Sequence, residues 1–140
     1  MFYRKLVTVP RDWDGKRIKL NFGAVDYQAT VWVNGRLATT HTGGYTAFTA
    51  DITDLLRGRG QQEIVVAVTD TTGDDQPKGK QSLNPGGIVY TPTSGIWQTV
   101  WMEPVAAASI DSIETTPSVG TSSLSVVGEV GRHVGQVTAV

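Results

Sequence analysis

The feature that most limits what this chain can fold into is a two-residue alternation of apolar and polar side chains in several short runs. Ile18, Leu20 and Phe22 alternate with polar residues, and the pattern recurs at residues 29–33 and 64–68. Successive side chains of a strand point to opposite faces, so each run predicts a half-buried strand. With 16 glycines and 6 prolines to form turns, the chain is predicted to be all-β.

Two turn signals suggest how the runs connect. Asn34-Gly35 is the strongest short signal for a type I′ turn, so residues 36–40 are expected to return beside the preceding strand. Asp14-Gly15 separates a strand-like run at 3–9 from the run at 17–22. A hairpin is the simplest connection between those two runs.

Periodicity disappears between residues 73 and 94, where glycines and prolines interrupt polar residues. Loops this long inside a compact domain are usually functional or disordered. The run at 96–102 then predicts a strand that places Trp97 and Trp101 on one face and ends before Pro104.

After Pro104 the composition changes to small and β-branched residues without aromatics. Two or three thin strands are expected there, marked by Ile110, Leu124, Val126, Val137 and Val140. Strands this few are marginal alone in water. We therefore divide the chain into a domain at 1–104 and the beginning of a second domain at 105–140.

Composition excludes several partner classes. The net charge is -1 and the pI is near 6.1, so the clustered basic residues that bind nucleic acid or anionic membranes are not expected. No apolar run approaches the roughly 20 residues of a membrane helix, and the N-terminal residues do not resemble a signal peptide. With no cysteine, the sequence does not identify a compartment.

Five motifs occur in a fixed order: Phe22-Gly23-Ala24-Val25-Asp26-Tyr27, Val31-Trp32-Val33-Asn34-Gly35, His41-Thr42-Gly43-Gly44-Tyr45, Asp51-Ile52-Thr53 and Ser94-Gly95-Ile96-Trp97-Gln98. Together they resemble the sugar-binding domain of family-2 glycoside hydrolases, the family of β-galactosidases and β-glucuronidases. The tail resembles the first strands of the immunoglobulin-like domain that follows in those enzymes.

The resemblance implies a jelly-roll (galactose-binding-like) β-sandwich, followed by a few strands of an incomplete immunoglobulin-like domain. In that family the catalytic acid and nucleophile lie on a later (β/α)₈ barrel, so the resemblance implies no catalytic residue in this chain. The family's jelly roll usually begins upstream of the Tyr3-Arg4 segment, so we expect a fragment. An acidic sugar contact of some members falls near Val89 here, and it is not carried over.

Aromatic residues give the best binding signal, because sugar rings stack their C–H faces on aromatic rings while their hydroxyls need planar polar partners. Aromatics on strands are more often core or interface residues. Loop residues and one strand aromatic therefore form the predicted carbohydrate-binding set: Tyr45, Asp75, Gln76, Lys80, Gln81, Tyr90 and Trp97.

Asp70, Asp74 and Asp75 form an acidic cluster beside the irregular loop. Glycoside hydrolysis uses two carboxylates about 5–9.5 Å apart, but carboxylates in such loops are usually solvated turn residues. We predict no catalytic residue, no metal ligand set and no cofactor. If the loop holds an ion, its oxygen-rich composition suits structural calcium.

Two functions remain open. The first is a non-catalytic accessory module that packs against the remaining domains of a hydrolase of O-glycosidic bonds. The second is an independent carbohydrate-binding module that binds glycan through loop aromatics. A stand-alone enzyme is the least favoured hypothesis. A homo-oligomer formed through an exposed interface or through strand edges is also an expectation.

Overall fold

The computed structural model describes residues 1–58 and 60–131, and strands dominate this part of the chain. Short 3-10 helices occupy Arg11–Trp13 and Thr53–Leu55. In chain order the strands are β1 (Phe2–Thr8), β2 (Arg17–Phe22), β3 (Val25–Asp26), β4 (Gln28–Val33), β5 (Arg36–Thr42), β6 (Phe48–Asp51), β7 (Gln61–Thr69), β8 (Gly95–Ile96), β9 (Val100–Val105), β10 (Ile110–Ser118) and β11 (Ser123–Val130).

Two antiparallel sheets form the sandwich. One has the strand order β1-β7-β4-β5 and the other the order β6-β2-β9. Strands β3 and β8 form a small separate pair, and β10 with β11 forms a hairpin. The predicted all-β sandwich is confirmed.

The predicted hairpin between the first two strands is wrong. β1 pairs with β7, whereas β2 pairs with β6 and β9 in the other sheet. The connection between them contains Pro10 and the 3-10 helix Arg11–Trp13, and Trp13 packs against the core. This connection is longer than a tight turn, and it carries the chain from one layer to the other.

The core lies between the two sheets, and the alternating residues fill it. Ile18, Leu20 and Phe22 of β2 are buried against the inward residues of β4 and β7. The Phe22 ring stacks on Phe48 with centroids 4.6 Å apart. The alternation in the sequence therefore reports which face of each strand is buried.

The turn at Asn34-Gly35 has positive φ angles of 52° and 79°, as a type I′ turn requires. Asn34 is buried, and its Nδ2 donates to Leu55 O at 2.9 Å and to Gln62 Oε1 at 2.7 Å. Gln62 Oε1 also accepts from Arg57 N at 2.8 Å, and its Nε2 donates to two glycine carbonyls. This buried network joins the turn to the loop before β7.

The strand predicted at 96–102 is interrupted. β8 ends at Ile96 and β9 begins at Val100, so Trp97 lies on the connection and does not share a strand face with Trp101. β9 continues through Pro104 to Val105. Because β9 is at the edge of its sheet, it tolerates a residue that lacks a backbone N–H.

The hairpin of β10 and β11 extends away from the core, and every residue in both strands is exposed. An ion pair between Lys19 and Asp111 joins it to the sandwich. The tail strands expected around Ile110, Leu124 and Val126 are present, whereas Val137 and Val140 lie outside the described residues. The division at 104/105 stays a prediction. Within the described ranges, no helix is long and apolar enough to traverse a bilayer.

Replacing Gln62 with leucine tests the buried network. Gln62→Leu leaves Asn34 Nδ2 and Arg57 N–H with fewer acceptors in a buried setting, so the free energy of unfolding should fall by roughly 2–4 kcal/mol. Urea denaturation followed by tryptophan fluorescence measures this loss. The exposed neighbour gives the control, because Gln61→Leu should change stability by less than about 0.5 kcal/mol. Equal losses in the two variants would contradict the network's role.

Candidate functional site

A cavity of about 190 Å³ opens where the β3–β8 pair meets the long loop that follows β7. It combines polar side chains with several aromatic rings. Its lining residues come from three parts of the chain and are Asp26, Tyr45, Gln81, Tyr90, Thr93 and Trp97.

Two aromatic rings form one corner of the cavity. Trp97 Nε1 donates to Gly44 O at 2.8 Å, which fixes the indole plane. The Tyr45 ring meets Trp97 edge to face, with centroids 6.1 Å apart and an interplanar angle of 72°. The corner therefore presents fixed apolar ring surface to whatever enters.

The polar wall is equally fixed. Gln81 is buried, and its Oε1 accepts from the Thr93 backbone N–H at 2.6 Å. Tyr90 pairs with this segment through its N–H, which donates to Lys80 O at 3.0 Å. These bonds place an amide, a hydroxyl and a phenol around one space.

Asp26 forms the floor of the cavity and is only 6% exposed. Its Oδ1 meets no hydrogen-bond partner among the described residues. Burial raises the pKa of the Asp26 carboxyl, and the neighbouring Asp70 carboxylate raises it further, whereas a hydrogen bond from Gln81 acts in the opposite direction. A buried polar atom without a partner is rare in folded proteins, and it is a reason to look for a ligand.

The backbone of Gly44 packs against the Asp26 carboxyl group. A Cβ at Gly44 would lie 2.9 Å from Asp26 Cγ, closer than real side chains approach. Only glycine fits there, so the backbone of the Gly43-Gly44 turn packs directly on the carboxylate. The glycine pair seen in the sequence thus shapes the cavity.

Asp70 organises the long loop. Its Oδ1 accepts from the Thr72 N–H at 2.8 Å and from Gln76 Nε2, and its Oδ2 accepts from the Ser94 hydroxyl. Burial by itself would raise the pKa of Asp70, yet the hydrogen bonds from Ser94, Thr72 and Gln76 hold it below its ordinary value. Both ends of the loop are therefore tied to one carboxylate.

The remaining acidic residues of the cluster face outward. Asp74 accepts from Lys78 Nζ at 2.6 Å, and this pair lowers the pKa of Asp74. Asp75 is exposed. In the described parts of the chain, no three His, Cys, Asp or Glu side chains form a group that could hold a metal ion. A structural calcium ion stays a prediction.

The structure brings together Tyr45, Gln81, Tyr90 and Trp97 from the predicted set. Asp75 and Gln76 line a separate depression of about 120 Å³, and the exposed Lys80 contributes only its backbone carbonyl beside the cavity.

Sequence reasoning missed two lining residues, Asp26 and Thr93. An acidic residue directly after the buried Ala24 and Val25 was the available signal for Asp26. Thr93 lies in the aperiodic loop, and nothing in the sequence distinguishes it from its neighbours.

A second depression, about 350 Å³, is mostly apolar, although Arg4 and Lys5 are among its lining residues. It lies between the edges of β1 and β9, and Val7, Val100, Met102 and the 44% exposed Trp101 contribute to its walls. It holds no buried polar side chain that could fix a hydroxylated ligand. The Asp26 cavity is therefore the stronger candidate for a polar small molecule.

Replacing Asp70 with asparagine tests how the loop is held. The folded-state pKa of Asp70 is lowered, so its stabilisation is present above the ordinary pKa of aspartate and is lost as the pH falls through the folded value. We expect Asp70→Asn to lower the free energy of unfolding at pH 7 by about 1–2 kcal/mol, and the difference from wild type to shrink towards about pH 3. Urea denaturation at several pH values measures both effects.

Asp74→Asn is the matched control for this experiment, because Asp74 is exposed and pairs only at the surface. It should leave stability nearly unchanged at every pH. A pH-independent loss in Asp70→Asn would show that the carboxylate's charge is not what holds the loop.

Comparisons with known proteins agree with this architecture. The family described as "Glycosyl hydrolases family 2, sugar binding domain" matches residues 1–101. A β-glucuronidase of Canis lupus familiaris is 35% identical over 95 residues, which cover 64% of this chain and 14% of that protein. A β-galactosidase of Thermoanaerobacter pseudethanolicus is 33% identical over 104 residues, which cover 73% of this chain and 13% of that protein.

A solved structure extends the likeness to the fold. The β-glucuronidase of Bacteroides uniformis superposes with a TM-score of 0.71 at 28% identity, covering 94% of this chain and 16% of that one. The chain thus spans about a seventh of the length of the relatives it matches. Because the family match extends over residues 1–101, well over half of the sequence, this protein belongs to the sugar-binding domain family of the family 2 glycosyl hydrolases.

Proposed function

We propose that this chain is a non-catalytic, carbohydrate-binding accessory module of a glycoside hydrolase that cleaves O-glycosidic bonds, and that the Asp26 cavity holds one sugar ring. One observation carries the proposal. Asp26 lines the same cavity as the Tyr45 and Trp97 rings, and its buried Oδ1 has no hydrogen-bond partner within the described structure.

The groups around the cavity match the chemistry of a sugar. Its rings offer flat apolar surface to the C–H face of a pyranose, while Asp26, Gln81 and Thr93 offer acceptors and donors to hydroxyls. At about 190 Å³ it is smaller than the roughly 300–1,000 Å³ of drug-sized pockets. A single ring is therefore the proposed occupant.

The relatives support a role within a larger enzyme. They are named as β-glucuronidases and β-galactosidases, and this chain corresponds to about a seventh of each. We assign the bond-breaking chemistry to other parts of such an enzyme. The carboxylates here support this assignment, since Asp70 is engaged by the loop and Asp74 by Lys78.

Exposed apolar surface supports packing against further domains. On one face of the β10–β11 hairpin, Ile113, Leu124 and Val126 are all exposed. The opposite face carries Glu114 and Glu129. We propose that the apolar face contacts the remaining domains of the hydrolase, because exposed apolar patches mark interaction sites.

An independent carbohydrate-binding module is the second candidate, and a specific observation favours it. Tyr45 and Tyr90, two of the loop aromatics, line the cavity and are more than half exposed, so a glycan can stack on them directly. If the module acts independently, the chain alone should retain full affinity for a glycan. If it acts as an accessory module, its sugar affinity alone should be weak and should rise in the complete enzyme.

Truncating an aromatic wall tests whether sugar binds in the cavity. Tyr45→Ala removes one side of the aromatic corner, so sugar affinity measured by calorimetry should fall by about tenfold. Phe2→Ala is the control, because Phe2 is 78% exposed and does not line the cavity. Equal losses in both variants, or no binding by wild type, would contradict the proposed function.

A second test addresses the hairpin. Without its neighbouring domains, the apolar face should drive self-association, so light scattering should give a mass above the 15.0 kDa monomer. Val126→Asp should shift the mass towards the monomer. Val127→Asp is a matched control, because both valines are 58% exposed and Val127 lies on the opposite face. A monomeric wild type, or equal effects of the two variants, would contradict the role of this face.

A further inference from the structure

The residues that line the Asp26 cavity include one charged side chain, and it is acidic. Of the six residues that line it, Asp26 is the only charged one. The carboxylate of Asp70, which is also negative, contributes to raising the pKa of Asp26. The interior of the cavity therefore carries negative charge.

The lysines of the neighbouring loop do not offset this charge inside the cavity. Lys78 Nζ donates to Asp74 Oδ1 at 2.6 Å and to Thr72 O at 3.2 Å. Lys80 is exposed and is not among the lining residues. Within the described chain, no basic side chain lines the cavity where it could receive an anion.

We propose that this cavity takes a neutral or amino sugar and rejects uronic acids, because the one charged group that lines it is the carboxyl of Asp26. This inference rests on the proposed function. A sugar hydroxyl or ammonium group carries hydrogen-bond donors, which suit a cavity lined by a carboxyl group. An ammonium group gains further from the opposite charge.

A uronic acid meets the opposite situation. Its carboxylate carries no hydrogen-bond donor and adds a negative charge beside Asp26 in a desolvated site, where repulsion is stronger than in water. Asp26 has little room to move away, because Gly44 packs against its carboxyl group. Rejection therefore arises from an unpaired charge rather than from a steric clash.

Calorimetric titration of the 140-residue chain with glucose, glucosamine and glucuronate at pH 6.5 tests the inference. Wild type should bind glucosamine at least as tightly as glucose, and glucuronate about tenfold more weakly or worse. In Asp26→Asn the glucuronate affinity should approach that of glucose, because the amide keeps an acceptor and loses the charge. Asp75→Asn removes an exposed carboxylate outside the cavity, and it should leave the wild-type order unchanged.

The outcomes separate the two claims. Glucuronate that binds wild type as tightly as glucose overturns this inference and leaves the proposed function standing. If none of the three sugars binds, both are overturned. The wild-type order decides the question even if Asp26→Asn fails to fold.

Discussion

The hydrogen bonds to the Asp70 carboxylate are the interaction on which the site depends. The segment from Asp70 to Ser94 runs without named strands, and its backbone is paired by two isolated bridges, Gln81 with Tyr90 and Gly86 with Val89. Asp70 takes donors from Thr72 and Gln76 at the start of the loop and from Ser94 at its end. A closed loop of this kind brings Gln81 and Tyr90 over the end of the sandwich, next to residues from β3 and the glycine turn.

Asp26 differs from Asp70, because its burial lowers the stability of the folded protein. Its folded-state pKa is raised, so the ionised form costs free energy in the free protein that a solvent-exposed aspartate would not. Proteins keep such groups mainly at functional sites. The packing of Gly44 against the carboxyl keeps the group in this position despite the cost.

Much of the fold was predictable because a half-buried strand shows in the sequence as an alternation of apolar and polar residues. The sequence predicts strands β2, β4 and β7 and the turn at Asn34-Gly35, since each depends on local geometry. The pairing of β1 with β7 could not be predicted in this way, because the choice between a hairpin and a crossing to the other sheet depends on distant partners. Pro104 predicts the end of a strand, yet β9 continues through it, because a strand at a sheet edge tolerates a residue without a backbone N–H.

The site was predictable only in part, for a related reason. Aromatic side chains and the amides of the long loop carry a chemical signal, so Tyr45, Gln81, Tyr90 and Trp97 could be named. Asp75, Gln76 and Lys80 share that composition, but the fold of the loop directs them elsewhere. Asp26 comes from a strand, and only the three-dimensional structure shows that it forms the floor of the cavity.

The most direct test of a sugar site in the Asp26 cavity is the indole N–H region of a ¹H–¹⁵N correlation spectrum. The chain has 4 tryptophans, so this region is simple to assign by substitution. Trp97 donates its indole N–H within the cavity wall, whereas Trp101 lies in the separate apolar depression. Adding glucose should shift the Trp97 signal and leave that of Trp101 in place. A shift at Trp101 alone, or no shift at saturating sugar, would contradict the account.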